Sequence, residues 1–402
     1  MFCIKSYWKQ WRKITGTALI GMLCLILVTA AGAQNVTRAH SKRKALPPVD
    51  ASKLFWPLPP ATPRIRFVAQ YFGERDLLGE KLKKPGFLER AAGVAVTNAE
   101  RPRLRKPYGV AVDSRGLIYT ADEGLHRVFV FDLDKRQLTF RGDKRPAQIQ
   151  LPVGVAIDDK DRLFVSDAVL HRITCFNANG SFASVFGEDN LTLPAGMAVD
   201  NDLRRLYVTD VKGSRLAVFD LDTFKFIRYF LAQKPSKEEP SGILATPTNV
   251  AVNPDGLIYV VDTILNRVEL FDSEGNYLGG FGEQGNTPGK FARPKGIAID
   301  SDGHVYVADD EFNNIQVFTA TGHVLMAMGG FGVSPGQFGL LTALTFDSQR
   351  NRLIATDGGP YARFEVFRYI TDAEVEASEK ASRDQGFAGA AAANSEAKEP
   401  SK

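Results

Sequence analysis

Arg293-Pro294-Lys295-Gly296-Ile297-Ala298-Ile299-Asp300-Ser301-Asp302-Gly303-His304-Val305-Tyr306-Val307-Ala308-Asp309, continued by Ile315-Gln316-Val317-Phe318, is the stretch that decides the fold. Gly296–Ile299 and Val305–Val307 are short and rich in β-branched residues, so they read as strands. Between them Asp300-Ser301-Asp302-Gly303 offers a polar turn opener and a glycine able to take positive φ. Ile315–Phe318 is a third strand, and a fourth follows Thr321-Gly322 as His323-Val324-Leu325-Met326. The chain writes this unit six times. The copies start at Pro107, Pro152, Pro194, Pro247, Pro294 and Leu341, with steps of 45, 42, 53, 47 and 47 residues. That period denotes a propeller or solenoid, and the absence of any helical period removes the helical repeats. One four-stranded sheet cannot bury both its faces, whereas six around an axis can. The prediction is an all-β, six-bladed propeller of four-stranded antiparallel blades over residues 65–370.

The last copy ends at Phe364-Glu365-Val366-Phe367-Arg368-Tyr369 without a fourth strand. The missing strand is expected at the other end of the chain. Ile65–Tyr71 is followed by Phe72-Gly73-Glu74, matching Phe186-Gly187-Glu188 and Phe281-Gly282-Glu283 after other copies. An N-terminal strand completing blade 6 would close the ring and remove a sheet edge.

Residues 1–33 have the parts of an export signal: Lys5, Lys9, Arg12 and Lys13, then an apolar run from Thr17 to Ala30, then Ala31-Gly32-Ala33. The expected location is periplasmic or extracellular, or membrane-anchored if the leader is retained, since Ile14–Ala33 is nearly long enough to span a bilayer. Residues 34–64 read as a basic, then proline-rich linker, with Phe55-Trp56 packing on the domain. After Thr371-Asp372-Ala373-Glu374, a capping box, residues 371–402 become a low-complexity tail expected to be disordered. The whole-chain charge of +4 comes from the leader: its four cations take Lys+Arg from 50 to 46, equal to Asp+Glu. A neutral body gives no general reason to bind nucleic acid. Of three cysteines only Cys175 lies outside the leader, so no disulfide framework or cysteine-based zinc site can form.

The copies share Pro-x-Gly-(Ile/Val)-Ala-(Ile/Val)-Asp, then Val-x-Asp, then His-Arg or Asn-Arg before a Val-x-Phe strand. His126-Arg127, His171-Arg172 and Asn266-Arg267 fit best, while Asn313-Asn314 departs at the arginine. In this the chain resembles NHL-repeat proteins, particularly exported bacterial six-bladed members. The resemblance implies the propeller fold. It leaves function open, because NHL propellers serve as protein-binding, RNA-binding, sensor and lyase modules.

Strand parity puts the loops between second and third strands on the same face as the blade-to-blade crossovers. Both long insertions, 72–106 and 231–245, fall in crossovers, which marks this face as the expected binding face. The candidate residues on it are Tyr108, Glu123, His126, His171, Lys212, Thr248, Asn266, Lys295, Asp310 and Glu311. His126 and His171 occupy equivalent positions, where the repeat itself uses His or Asn to cap the loop. A metal site, for zinc or calcium, would start from these two and need a carboxylate from another loop. No catalytic residue and no cofactor are assigned. The leading expectation is a monomeric, non-enzymatic scaffold or sensor that binds a protein or a small extracytoplasmic ligand. The alternative is a metal-dependent lyase or hydrolase at the channel mouth, and RNA binding is a disfavoured third. Phosphate loops and nucleophile elbows are absent from the sequence.

Overall fold

The computed structural model describes residues 50–58, 60–79, 101–231, 244–377 and 380. The leader, the linker up to residue 49, the insertion segments 80–100 and 232–243, and the tail from 381 lie outside the described residues. Among those described, no helix is long and apolar enough to cross a membrane.

The described chain forms six antiparallel sheets. Blades 1 to 5 run Pro107–Arg141, Pro152–Phe186, Pro194–Leu231, Pro247–Phe281 and Pro294–Gly329. Each has four strands in sequence order, the first innermost. Blade 6 combines Leu341–Asp347, Arg352–Asp357 and Arg363–Tyr369 with the N-terminal strand Ile65–Tyr71. Ile65 pairs with Tyr369 and Tyr71 with Phe364. This blade has a fifth strand as well: Phe55–Trp56 adds to the outside, with Trp56 opposite Ile65. The stretch expected as linker is therefore part of the closure. Its proline-rich composition suits a two-residue edge strand, which needs few backbone donors.

Burial follows position in the blade. Second strands such as Ile118–Asp122 and Val305–Asp309 are buried at every residue, because neighbouring blades cover both faces. Outer strands alternate, as in Tyr277–Phe281. The core is divided into inter-blade clusters. Between blades 3 and 4, Tyr207, Leu216, Val218 and Phe230 meet Val250, Ile258, Val260 and Phe271. At the closing junction Phe67 and Trp56 both pack edge-on against Phe367, at ring separations of 5.8 Å.

Turn chemistry matches the repeat. Gly303 takes φ 83° in the first hairpin of blade 5. The His/Asn column also sits in the left-handed region: His126 at 54°, His171 at 52°, Asn266 at 54° and Asn313 at 51°. Asn and His tolerate that conformation better than most side chains, which explains their recurrence before the third strand.

The Val-x-Asp aspartates fasten each incoming crossover to the following turn. Asp309 accepts the Ala292 N–H at 2.7 Å and the Phe312 N–H at 3.1 Å. Asp167 likewise accepts Gln150 N–H at 2.7 Å and Leu170 N–H at 3.0 Å. These carboxylates are spent on structure. The arginine that opens the third strand reaches the anchor aspartate in blades 3 and 6, through Arg215 to Asp210, five residues back, at 2.9 Å and Arg363 to Asp357, six residues back, at 3.5 Å. In blades 2 and 4 it turns to Glu188 and Glu269 instead, so the anchor works through backbone N–H groups.

The glycine of Pro-x-Gly is dictated by the neighbouring blade. A Cβ on Gly154 would lie 2.1 Å from the carbonyl oxygen of Ala195, and one on Gly109 2.4 Å from that of Val153. Gly154→Ala must push two inner strands apart and is expected to cost about 3 kcal/mol of unfolding free energy. Urea unfolding checks this; an unchanged midpoint would remove the close-approach explanation.

Candidate functional site

The six innermost strands enclose a channel of about 280 Å³. Its walls are mainly glycine, alanine and valine, and Tyr108 is its one ionisable lining residue among the described residues. The end away from the insertions is ringed by Val112, Ile157, Val199, Val252, Ile299 and Phe346. Chemistry beyond backbone hydrogen bonding is thus concentrated at the mouth, on the face with the insertions.

The mouth is built from one repeated pair. In each of blades 1 to 5 the residue after the anchor aspartate donates its N–H to the carbonyl of the residue just before the blade-starting proline. Glu123 meets Lys106, Ala168 meets Leu151, Val211 meets Leu193, Thr263 meets Thr246, and Asp310 meets Arg293. The side chains of each pair are matched. Lys106 and Glu123 form an ion pair at 2.5 Å. The blade 2 and 3 pairs join Val153, Ala195 and Tyr108 in an apolar cluster. In blade 4 Thr263 donates to the Pro294 carbonyl at 2.6 Å and contacts Thr248 at 2.8 Å. In blade 5 Asp310 is bound by Arg293 at 3.0 Å and by Lys295 at 2.6 Å, with its carboxylate almost wholly buried. Arg293 also pairs with Glu311 at 3.0 Å. One half of the mouth is therefore apolar and the other polar and charged. Tyr108 belongs to the apolar cluster yet feels both charged blades. Burial first, then Glu123 and Asp310, hold its phenol above the usual tyrosine range, so it stays a neutral hydroxyl.

Five of the sequence candidates meet here: Tyr108, Glu123, Thr248, Lys295 and Asp310, with Glu311 on the rim. Asp310 was expected as an open loop carboxylate, and it is instead the buried centre of an ion-pair cluster. His126, His171 and Lys212 stand exposed at the turns. His126 Nδ1 contacts the carbonyl of Gln150, and Asn266 donates to its own loop at Ile264. The two histidines are explained by their backbone conformation. Among the described residues no group of three His, Cys, Asp or Glu is arranged for a metal ion. Sequence reasoning missed Lys106 and Arg293. Their signal was the column before the blade-starting proline, read against the column after the anchor aspartate.

The NHL repeat family matches residues 104–131, which hold the first strand of blade 1, its anchor and its His-Arg turn. A second family, described as a 6-bladed beta-propeller of unknown function, matches residues 243–328, blades 4 and 5. The chain is a six-bladed propeller with a matched NHL repeat in its first blade. Among solved structures, this propeller is similar to a protein of unknown function from Bacteroides thetaiotaomicron, at 15% identity and TM-score 0.53, covering 66% of this chain and 70% of that one. It is also similar to a gluconolactonase from Xanthomonas campestris, at 19% identity and TM-score 0.50, covering 65% and 86%. At these identities the likeness establishes the fold alone. A comparison with curated proteins returned no match.

Proposed function

We propose that this propeller is an exported binding scaffold that engages a protein partner through its insertion-bearing face. The observation that carries the reading is where large apolar side chains are left in solvent. On that face, loop-tip residues Val169, Ile264 and Tyr361 are 48%, 66% and 51% exposed, and the crossover residue Phe331 is 78% exposed. Apolar tips around a half-apolar, half-charged mouth have the anatomy of a protein interface, with aromatic and aliphatic anchors beside charges that set register. The leader supports an extracytoplasmic partner, and the neutral body argues against nucleic acid.

The test is co-purification from the envelope fraction of the native host. Wild-type protein is expected to retain a partner that the double variant Ile264→Asp/Phe331→Asp loses. Both residues are exposed, so the variant should melt like wild type. Retention of the same partner by the double variant would overturn the assignment of this face.

A further inference from the structure

The first hairpin of each blade ends on a column that is arginine in blades 2, 3 and 6. Arg162 and Arg352 use it to neutralise their own turn aspartates, Asp158 and Asp347, each at 2.7 Å. Blade 5 places His304 in that column. His304 Nδ1 lies 2.9 Å from Asp300 Oδ2, and the same oxygen accepts the Tyr306 hydroxyl at 2.9 Å. Because the carboxylate can only accept, Nδ1 carries the proton and Nε2 is left over. Among the described residues Nε2 makes no hydrogen bond, and the ring lines a crevice of about 460 Å³ between blades 5 and 6.

No other blade junction can have the same crevice, because its outer wall is the closing segment. Pro57, Thr62, Arg64 and Ile65 come from the N-terminal side, and Tyr369 and Asp372 from the end of blade 6. Val317, Leu325 and Met326 supply an apolar side. Its size and its few convergent polar groups are those of a small-molecule site. Every charge around it already has a partner. His304 faces Asp300, Arg64 is paired with Asp372, and Asp302 accepts the Tyr369 hydroxyl at 2.7 Å. A charged ligand would have to break one of these pairs, whereas a neutral acceptor needs only the free ring N–H.

We propose that the crevice between blades 5 and 6 binds a small uncharged organic molecule, which presents one acceptor oxygen to His304 and a hydrocarbon body to Leu325, Met326 and Ile65. Protonated His304 is the donor form. The bond to Asp300 raises the imidazole pKa first, and Asp302 and Asp372 add to it. Binding is therefore strongest below that raised pKa and weakens above it, where Nε2 offers only a lone pair. This site lies away from the insertion face and does not depend on the protein-binding reading.

The probe is the dimethylamino-naphthyl ketone Prodan, a neutral aromatic compound with a single carbonyl acceptor, titrated by fluorescence into the full chain. One saturable site is expected, weakening as pH rises. His304→Leu should lower affinity about tenfold at about pH 6 and remove the pH dependence. Leu325→Asp, at a side chain 51% exposed and so tolerant of change, should weaken binding by a similar factor. Leu278→Asp, 54% exposed on the outer strand of blade 4, should leave binding unchanged. The proposal is overturned if Prodan does not bind, if both crevice variants retain affinity within about twofold, if pH has no effect, or if Leu278→Asp abolishes binding.

Discussion

Removal of residues 50–71 is expected to unfold the propeller or lower its melting temperature by tens of degrees. Ile65, Phe67 and Tyr71 would be lost from the strand paired to Arg363–Tyr369, together with Trp56 from the strand outside it. At about 1.5–3 kcal/mol for each of the buried Ile65 and Phe67, and about half that for each of the half-buried Trp56 and Tyr71, these four contribute roughly 4–9 kcal/mol. That rivals the whole stability of about 5–15 kcal/mol typical of a domain. The loss would also bare the edge of Arg363–Tyr369 next to Phe367, inviting self-association. Thermal melts followed by circular dichroism provide the measurement, and a synthetic peptide spanning the missing segment should restore part of the transition. A melt unchanged by the deletion would refute closure by the N-terminal segment.

The second large effect concerns a charge buried where the last crossover meets blade 6. Arg363 and Glu365 are both fully buried and lie 3.1 Å apart. Arg363 donates to the Val333 carbonyl at 2.7 Å and to that of Gln337, and Glu365 accepts the Gly336 N–H at 2.9 Å. Burial pushes the Glu365 carboxyl up to about 8 from 4.5, against the opposing pull of Arg363 and the Gly336 N–H. The folded chain thus keeps a proton that the unfolded chain has released across that interval. The resulting stability is fully present below about pH 4.5 and is lost as pH rises through about 8, a decline on the order of a few kcal/mol. Blade 5 shows what relieves it. Gln316, at the same place in its third strand, accepts the Gly289 N–H at 2.8 Å and donates to the Lys290 carbonyl at 2.8 Å. Glu365→Gln should therefore flatten the stability profile between about pH 5 and 9 and stabilise the protein at the alkaline end. Arg363→Met should do the opposite, costing about 3–5 kcal/mol by stripping the buried Val333 and Gln337 carbonyls of their donor and, at the alkaline end, leaving the Glu365 carboxylate without its cation. Urea unfolding across that pH range decides the matter, and parallel profiles for wild type and Glu365→Gln would sink it.

The candidate site was legible only in part, for a reason visible residue by residue. Tyr108, Thr248 and Lys295 stand at the mouth because each is the residue after a blade-starting proline, a position that the repeat marks in the sequence. The buried state of Asp310 was not legible, since it depends on Arg293 and Lys295 converging on one carboxylate. In the sequence His304 stands only as the residue after a turn glycine, with nothing local to single it out. Its hairpin is indeed an ordinary one; what makes it unusual is a wall brought by Pro57, Thr62, Arg64 and Ile65 from the other end of the chain and by Tyr369 and Asp372 from the end of the next blade.

Alone, the sequence determined the blade count, the antiparallel order, the turn glycines, the anchor aspartates and the closing strand. Each rests on local periodicity or on a repeat that can be compared with its own copies. Tertiary structure alone decided which side chains meet between blades. It placed the matched pairs around the mouth, the fifth strand at Phe55–Trp56, the buried Arg363–Glu365 pair and the His304 crevice. Those contacts arise where adjacent sheets pack or where the two ends of the chain join, and no local pattern encodes the distance between segments that only ring closure brings together.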